Sequence, residues 1–220
     1  MIELVALDIA GTTVQENGAV YVALREAVEA AGGTPGDEDV RRWMGADKRE
    51  AIARLLGSPS PAAVEAAFSD FHRRLTAAYA AHRPEPLPGV EKALAALRAA
   101  GIKVALTTGF DRRITDSLLD LLGWDSSVVD AVVCVDDVPA GRPAPYMVFR
   151  AMEATGVRDV ASVLTAGDTV LDLRAGTNAG AAMVVGVLTG GMTAAQLGAE
   201  RHTHLLPGVA DLPAHLGLTA

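Results

Sequence analysis

The chain of 220 residues has a single cysteine, Cys134. That excludes an intrachain disulfide and makes a reducing compartment the expectation. No stretch approaches the ~18 consecutive apolar residues of a membrane span, and no basic leader followed by an apolar run opens the chain. A cytoplasmic protein with no membrane partner is therefore expected. Basic clusters are scarce as well. At a net charge of -8 the sequence carries no electrostatic footprint for nucleic acid, and an anionic substrate would have to be captured by a local group of donors. Repeats and low-complexity segments are also missing. What is present is a globular composition, 50% hydrophobic and 21% charged, in a chain long enough to bury a substantial core.

Ile2–Leu7 reads as a short buried strand that stops at Asp8 and a Gly-Thr-Thr turn. Apolar spacing then predicts helices over 21–31, over 37–56 with an interruption near Met44-Gly45, and over 62–81. The prolines Pro84, Pro86 and Pro88 mark a boundary. Beyond it, predicted strands at 102–106, 131–135, 163–166, 183–188 and 204–206 alternate with helices at 90–100, 113–122 and 145–155 and one after Asp168. Alternation of this kind implies a parallel sheet covered on both faces. The expected fold is α/β. A Rossmann-like three-layer core with a parallel sheet takes residues 1–16 and 85–220, and a small all-helical cap domain, residues 17–84, is inserted after the first strand.

In such sheets ligands bind beyond the carboxyl ends of the strands. Asp8, Thr107-Thr108, Asp136-Asp137 and Gly167-Asp168 all fall at predicted strand ends. Asp8, Asp168 and Asp172 would converge there, and three carboxylates ionise together only if a cation neutralises them. Oxygen ligands with a phosphorylated substrate point to Mg2+, and a carboxylate can attack phosphorus to give an acyl-phosphate. The alternative for Asp8 alone is a helix or turn cap. Thr107, Thr108 and Arg142 supply hydroxyls and a guanidinium for phosphoryl oxygens.

These motifs resemble the haloacid dehalogenase superfamily, with Asp8 matching the nucleophile, Thr108 (or Thr107) the second-motif hydroxyl, Arg142 the third-motif cation, and Gly167-Asp168-Thr169 through Asp172 the metal-binding motif. Two features resemble the phosphonatase branch: Ala10 where most phosphatases of the superfamily carry a second aspartate, and Arg142 where lysine is usual. The stretch Asp136 to Pro143 resembles it too. In that branch a cap lysine forms a Schiff base with an aldehyde, and the matching segment Met44-Gly45-Ala46-Asp47-Lys48 puts Lys48 in that place. The alternative for Lys48 is a solvated helix residue.

The resemblance implies hydrolysis of phosphonoacetaldehyde or a close analogue. Asp8 would attack phosphorus, Lys48 would activate the carbonyl, and Asp8, Asp168, Asp172 and the Ala10 carbonyl would hold Mg2+. Thr107, Thr108, Gly109, Arg142 and the Gly11 and Thr12 amides would bind the phosphoryl group, with Met44 and Gly45 over the substrate. Three positions depart from the branch: Ala51 replaces a histidine, Phe110 a tyrosine and Gly18 a cysteine. A second reading is accordingly a phosphomonoesterase acting on a small ester such as phosphoglycolate, and a third a phosphate-binding protein without turnover. A homodimer through the cap is a further implication. Asp136-Asp137 reads as structural with a contribution to the site left open, His72 and His82 receive no role, and His202 and His204 read as surface residues.

Overall fold

The computed structural model describes residues 1–218. Six strands form one parallel sheet: β1 (Leu4–Asp8), β4 (Lys103–Thr108), β5 (Ala131–Cys134), β6 (Val163–Gly167), β7 (Met183–Val187) and β8 (His204–Leu206), in the order β5-β4-β1-β6-β7-β8. The remaining two strands, β2 (Val14–Gln15) and β3 (Glu85–Pro86), pair antiparallel in a separate ribbon. The helices are α1 (Ala19–Ala30), α2 (Asp37–Arg42), α3 (Lys48–Leu55), α4 (Pro61–Ala81), α5 (Val90–Ala99), α6 (Arg112–Leu122), α7 (Tyr146–Thr155), α8 (Val170–Ala179), α9 (Ala194–Gly198) and α10 (Leu212–His215). Every strand expected for the main sheet is present, with ends displaced by at most two residues. The ribbon strands and the short α9 and α10 were not anticipated, because two to five residues carry too little periodicity to read.

Side-chain alternation along the strands divides the core. Leu4 and Ala105 pack with Met147, Val148 and Ala151 of α7. Val5, Leu7, Val104 and Leu106 point the other way and join Leu94 and Leu97 of α5. That second cluster continues without a break through Ile9 and Val14 into the helical insert, where Leu24, Val28, Phe71 and Leu75 knit α1 to α4. Each such side chain contributes about 1.5–3 kcal/mol when fully buried, so the insert is held by its own apolar faces as well as by the ribbon. No helix among the described residues is long and apolar enough to cross a membrane.

Local chemistry explains where the elements stop. The interruption expected near Met44-Gly45 separates α2 from α3, with Gly45 at φ +80. That value is open to glycine and strained for a residue with a Cβ. Asp47 then caps α3 by accepting from the Arg49 and Glu50 amides at 2.6 and 3.0 Å, which makes Lys48 the first residue of the helix.

Candidate active site

Strand register assembles the site. Asp8 pairs with Thr107 across β1 and β4, and Leu7 pairs with Ala166 across β1 and β6. The turns after three neighbouring strands therefore open at one level on one edge of the sheet. Asp8, Asp168 and Asp172 offer carboxylate oxygens within 4.8 Å of one another, and all three are buried. Asp172 reaches the cluster as the third residue of α8, where it and Thr169 form a reciprocal cap: the Thr169 hydroxyl donates to Asp172 Oδ2 at 2.6 Å.

Arg142 lies inside this cluster, 4% exposed. Its Nη1 donates to Asp8 Oδ1 at 2.6 Å and lies 2.9 Å from Asp172 Oδ1, while Nη2 donates to the Thr107 carbonyl and hydroxyl at 2.9 and 2.7 Å. A planar guanidinium can serve three residues at once in this way; a lysine ammonium on a flexible stem would not hold the same geometry. Thr12 donates to Asp168 Oδ1 at 3.0 Å, and the Thr108 hydroxyl accepts from the Phe110 amide at 3.1 Å.

Three buried carboxylates against one guanidinium leave an excess of negative charge. Burial, the largest influence, pushes Asp8 up to about 6; Arg142 opposes this and Asp172 reinforces it. Asp168 is raised well above the usual carboxylate range, again mainly by burial, with Asp8 and Asp172 adding to it. In a group this short of compensation, protons or a bound cation must make up the charge. The donor set, hard oxygens only, suits a hard divalent ion.

Glycines let the loops close in. A Cβ on Gly11 would lie 2.7 Å from Asp168 Oδ2, and one on Gly190 would lie 1.8 Å from the same oxygen. Gly45 and Gly109 do the same for the insert. A Cβ on Gly45 would meet the Thr169 hydroxyl at 2.6 Å, and one on Gly109 would meet the Ala46 and Gly45 carbonyls at 2.5 and 2.7 Å. The 44–46 turn is thus pressed between the loops after β4 and β6.

Lys48 follows that turn and is 3% exposed, which disposes of the solvated alternative. Its ammonium donates to the Ala46 carbonyl at 2.8 Å and sits 5.5 Å from the centre of the Phe110 ring. Burial pushes it down to about 8, opposed by Asp8 and Asp47 and aided by Arg142. Ala51 is fully buried and Phe110 nearly so, so the surroundings of the lysine are apolar on those two sides. Next to the centre is a cleft of about 680 Å³ that touches it through Ala10, Gly11, Asp168 and Thr169 and is walled by Glu16, Tyr21, Arg41, Met44 and Met192.

The structure places the other residues singled out in the sequence. The Gly11 and Thr12 amides, assigned to the phosphoryl group, are engaged within the loop, donating to Val14 and Ile9 carbonyls at 2.8 and 3.3 Å. The physical reason is the tight turn that brings Thr12 round to Asp168. Asp136 and Asp137 are structural: Asp136 accepts from the Arg112 amide, and Asp137 accepts from the Cys134 amide and pairs with the Arg112 guanidinium. His204 stacks edge-on against His215, their centroids 4.3 Å apart. His72, given no role, bonds Asp111 at 2.6 Å.

Sequence reading passed over Thr189, whose hydroxyl donates to the Gly11 carbonyl at 2.6 Å, and Gly190 beside it. The signal was available, since Thr-Gly-Gly follows β7 on the edge that supplied the other motifs. Glu16 was also missed. It caps α1, accepting from the Val20 and Gly18 amides at 2.7 and 3.2 Å.

Comparison with known proteins agrees with this geometry. A family model described as haloacid dehalogenase-like hydrolase matches residues 2–180. A protein of Bacteroides fragilis named phosphonoacetaldehyde hydrolase is 33% identical over 223 residues, covering 94% of this chain and 82% of its own. One of the same name from Bacillus cereus is 31% identical over 204 residues, covering 86% and 76%. A crystal structure of a phosphonoacetaldehyde hydrolase-like protein from Oleispira antarctica superposes with a TM-score of 0.85 at 23% identity, covering 98% of this chain and 91% of its own.

Proposed function

Because the chain belongs to the haloacid dehalogenase-like hydrolase family, we propose that it cleaves the phosphorus–carbon bond of phosphonoacetaldehyde or a close analogue. The observation that carries this reading is Lys48: an amine from the helical cap, buried beside the second-motif loop and pushed down to about 8. At pH 7 about a tenth of such a lysine is free amine, against well under a thousandth of an ordinary one. An uncharged amine is what condensation with a carbonyl requires.

The chemistry then follows. Lys48 Nζ adds to the aldehyde carbon and water leaves, giving an iminium. An Asp8 oxygen attacks phosphorus, and the electrons of the breaking phosphorus–carbon bond pass to carbon and on to the iminium nitrogen, forming an enamine. Protonation at carbon and hydrolysis release acetaldehyde and free Lys48. Water cleaves the aspartyl phosphate, releasing phosphate and restoring Asp8. No leaving oxygen needs a proton, so Ala10 in place of an acid is compatible with the route. Arg142, anchored to Asp8 and Thr107, orients the nucleophile and offsets phosphoryl charge, with Thr108 alongside. A Mg2+ ion held by Asp8, Asp168, Asp172 and the Ala10 carbonyl would neutralise the carboxylates and the phosphoryl oxygens.

Borohydride reduction in the presence of phosphonoacetaldehyde is expected to trap an adduct on Lys48, found by peptide mass mapping, and Lys48→Ala is expected to lose turnover. Equal turnover by wild type and Lys48→Ala sinks the Schiff-base route. The apolar Ala51 and Phe110 beside the lysine favour one other reading, a phosphomonoesterase for a small ester such as phosphoglycolate. Magnesium-dependent phosphate release from such esters that survives Lys48→Ala would support it.

A further inference from the structure

We propose that His72 and Asp111 form a latch that fixes the helical cap over the second-motif loop, and that His72 is thereby a positioning residue for Lys48. His72 lies in α4 of the cap, whereas Asp111 is the N-cap of α6 in the core. His72 Nε2 and Asp111 Oδ2 are 2.6 Å apart, with side chains only 13% and 10% exposed. The other Asp111 oxygen accepts from the Ile114 amide at 2.8 Å, so the carboxylate is committed at both ends. Burial works against its charge, yet the hydrogen bonds from His72 and Ile114 prevail and hold Asp111 below the usual carboxylate range. An ionised carboxylate only accepts, so His72 Nε2 carries the proton.

Placement gives the contact its meaning. Asp111 ends the segment Thr108-Gly109-Phe110, the same segment that receives the Gly45 and Ala46 carbonyls at Gly109 and the Lys48 ammonium at Phe110. Helix α3, which begins with Lys48, packs against α4, which carries His72. The segment is thus gripped at its start by the 44–46 turn and at its end by His72. Other charged groups line the cleft around His72, among them Arg49, Glu65, Arg73 and Arg113. Arg49 pairs with Glu65 and Arg73 with Asp70, both inside the cap; the His72–Asp111 pair crosses from cap to core. His72 also meets the Phe68 ring edge-on at 4.8 Å, a packing role that the test must separate from the latch.

The reading of Lys48 as the reacting amine comes from the proposed function, but the test needs no substrate and stands if that function fails. The chain has three lysines. Lys48 is buried, whereas Lys92 and Lys103 are exposed on the core and serve as internal standards. Brief labelling of the full-length protein with an N-hydroxysuccinimide ester, read per lysine by mass spectrometry, measures how often the cap lifts. Loss of a mostly buried, charge-assisted hydrogen bond is expected to raise Lys48 labelling relative to the standards by about tenfold or more in His72→Ala. Asp111→Ser keeps a helix N-cap but is too short to reach His72, and is expected to match it. His72→Gln keeps an N–H donor near Nε2 and is expected to restore most of the protection. Unchanged Lys48 labelling in Asp111→Ser overturns the latch, and so does His72→Gln labelling as fast as His72→Ala, which would make His72 a packing residue.

Discussion

Gly109→Ala probes whether the closed cap is needed for turnover. Gly109 is not in the left-handed region, so its own backbone accepts alanine. What does not accept it is the cap, because the new Cβ would stand 2.5 Å from the Ala46 carbonyl oxygen and 2.7 Å from that of Gly45. Both neighbours are backbone, which cannot swing aside as a side chain would. To restore an ordinary carbon–oxygen contact, the 44–46 turn must retreat by roughly 1 Å, carrying the start of α3 and Lys48 with it. Overpacking of this kind costs about 1–3 kcal/mol, which lowers the population of the closed arrangement some 5- to 150-fold. A further loss follows because displacing a reacting group by about 1 Å can itself cost a factor of about 100 in rate. The expected outcome is a fall in kcat/KM on phosphonoacetaldehyde of roughly 500-fold or more, with a melting temperature close to wild type, since the cap can lift to relieve the overlap. Steady-state kinetics and a thermal melt on the same preparation check both halves. Activity within a factor of two of wild type, with Lys48 still protected from labelling, would refute the reasoning.

Two further outcomes follow from the ionisation of the site. On the proposed route Lys48 loses its proton before it reacts, so kcat/KM on the aldehyde is expected to climb as pH rises towards about 8, and a profile flat between pH 6 and 9 would contradict this. Asp8 sits at about 6, above its ordinary value of 3.8; a carboxyl raised on folding contributes stability at pH values below the ordinary one and loses it as pH climbs through the raised one. The metal-free protein therefore gives up stability between about pH 4 and 6, and Mg2+ should raise its Tm more at pH 7.5 than at pH 5, where protons compete for the same oxygens; an equal or absent shift at the two pH values would exclude the carboxylate cluster as the site.

Residues whose chemistry declares itself locally were readable from sequence. Asp8, Thr107-Thr108 and Gly167-Asp168 each end a strand, and a parallel sheet brings strand ends together whatever the side chains are, so three motifs could be placed without knowing a single contact. The break between α2 and α3 was readable for a similar reason, since Gly45 interrupts an apolar repeat. What resisted reading depends on pairs remote in the chain. His72 and Asp111 meet only through the way the cap leans on α6. The number of residues in a turn does not tell which donors the turn itself consumes, as the Gly11 and Thr12 amides are consumed within their own loop. Lys48, flanked by Asp47, Arg49 and Glu50, looks like a surface residue in any local window; its burial comes from the loop after β4 lying against it.

The β2–β3 ribbon has a consequence of another kind. Val14 pairs with Pro86 and Gln15 with Glu85, so the chain leaves the core and comes back through neighbouring positions. From the standpoint of the sheet, the whole stretch from α1 to α4 is the tip of a hairpin, and lengthening such a tip twofold costs only about 0.6 kcal/mol in closure entropy. The carboxylate cluster of Asp8, Asp168 and Asp172 lies on one side of this narrow neck and Lys48 on the other. An ancestor could therefore have traded one helical block for another without disturbing the register of β1 against β4 and β6. On the proposed reading, the chemistry at phosphorus and the choice of what is attached to it are then free to evolve on separate schedules.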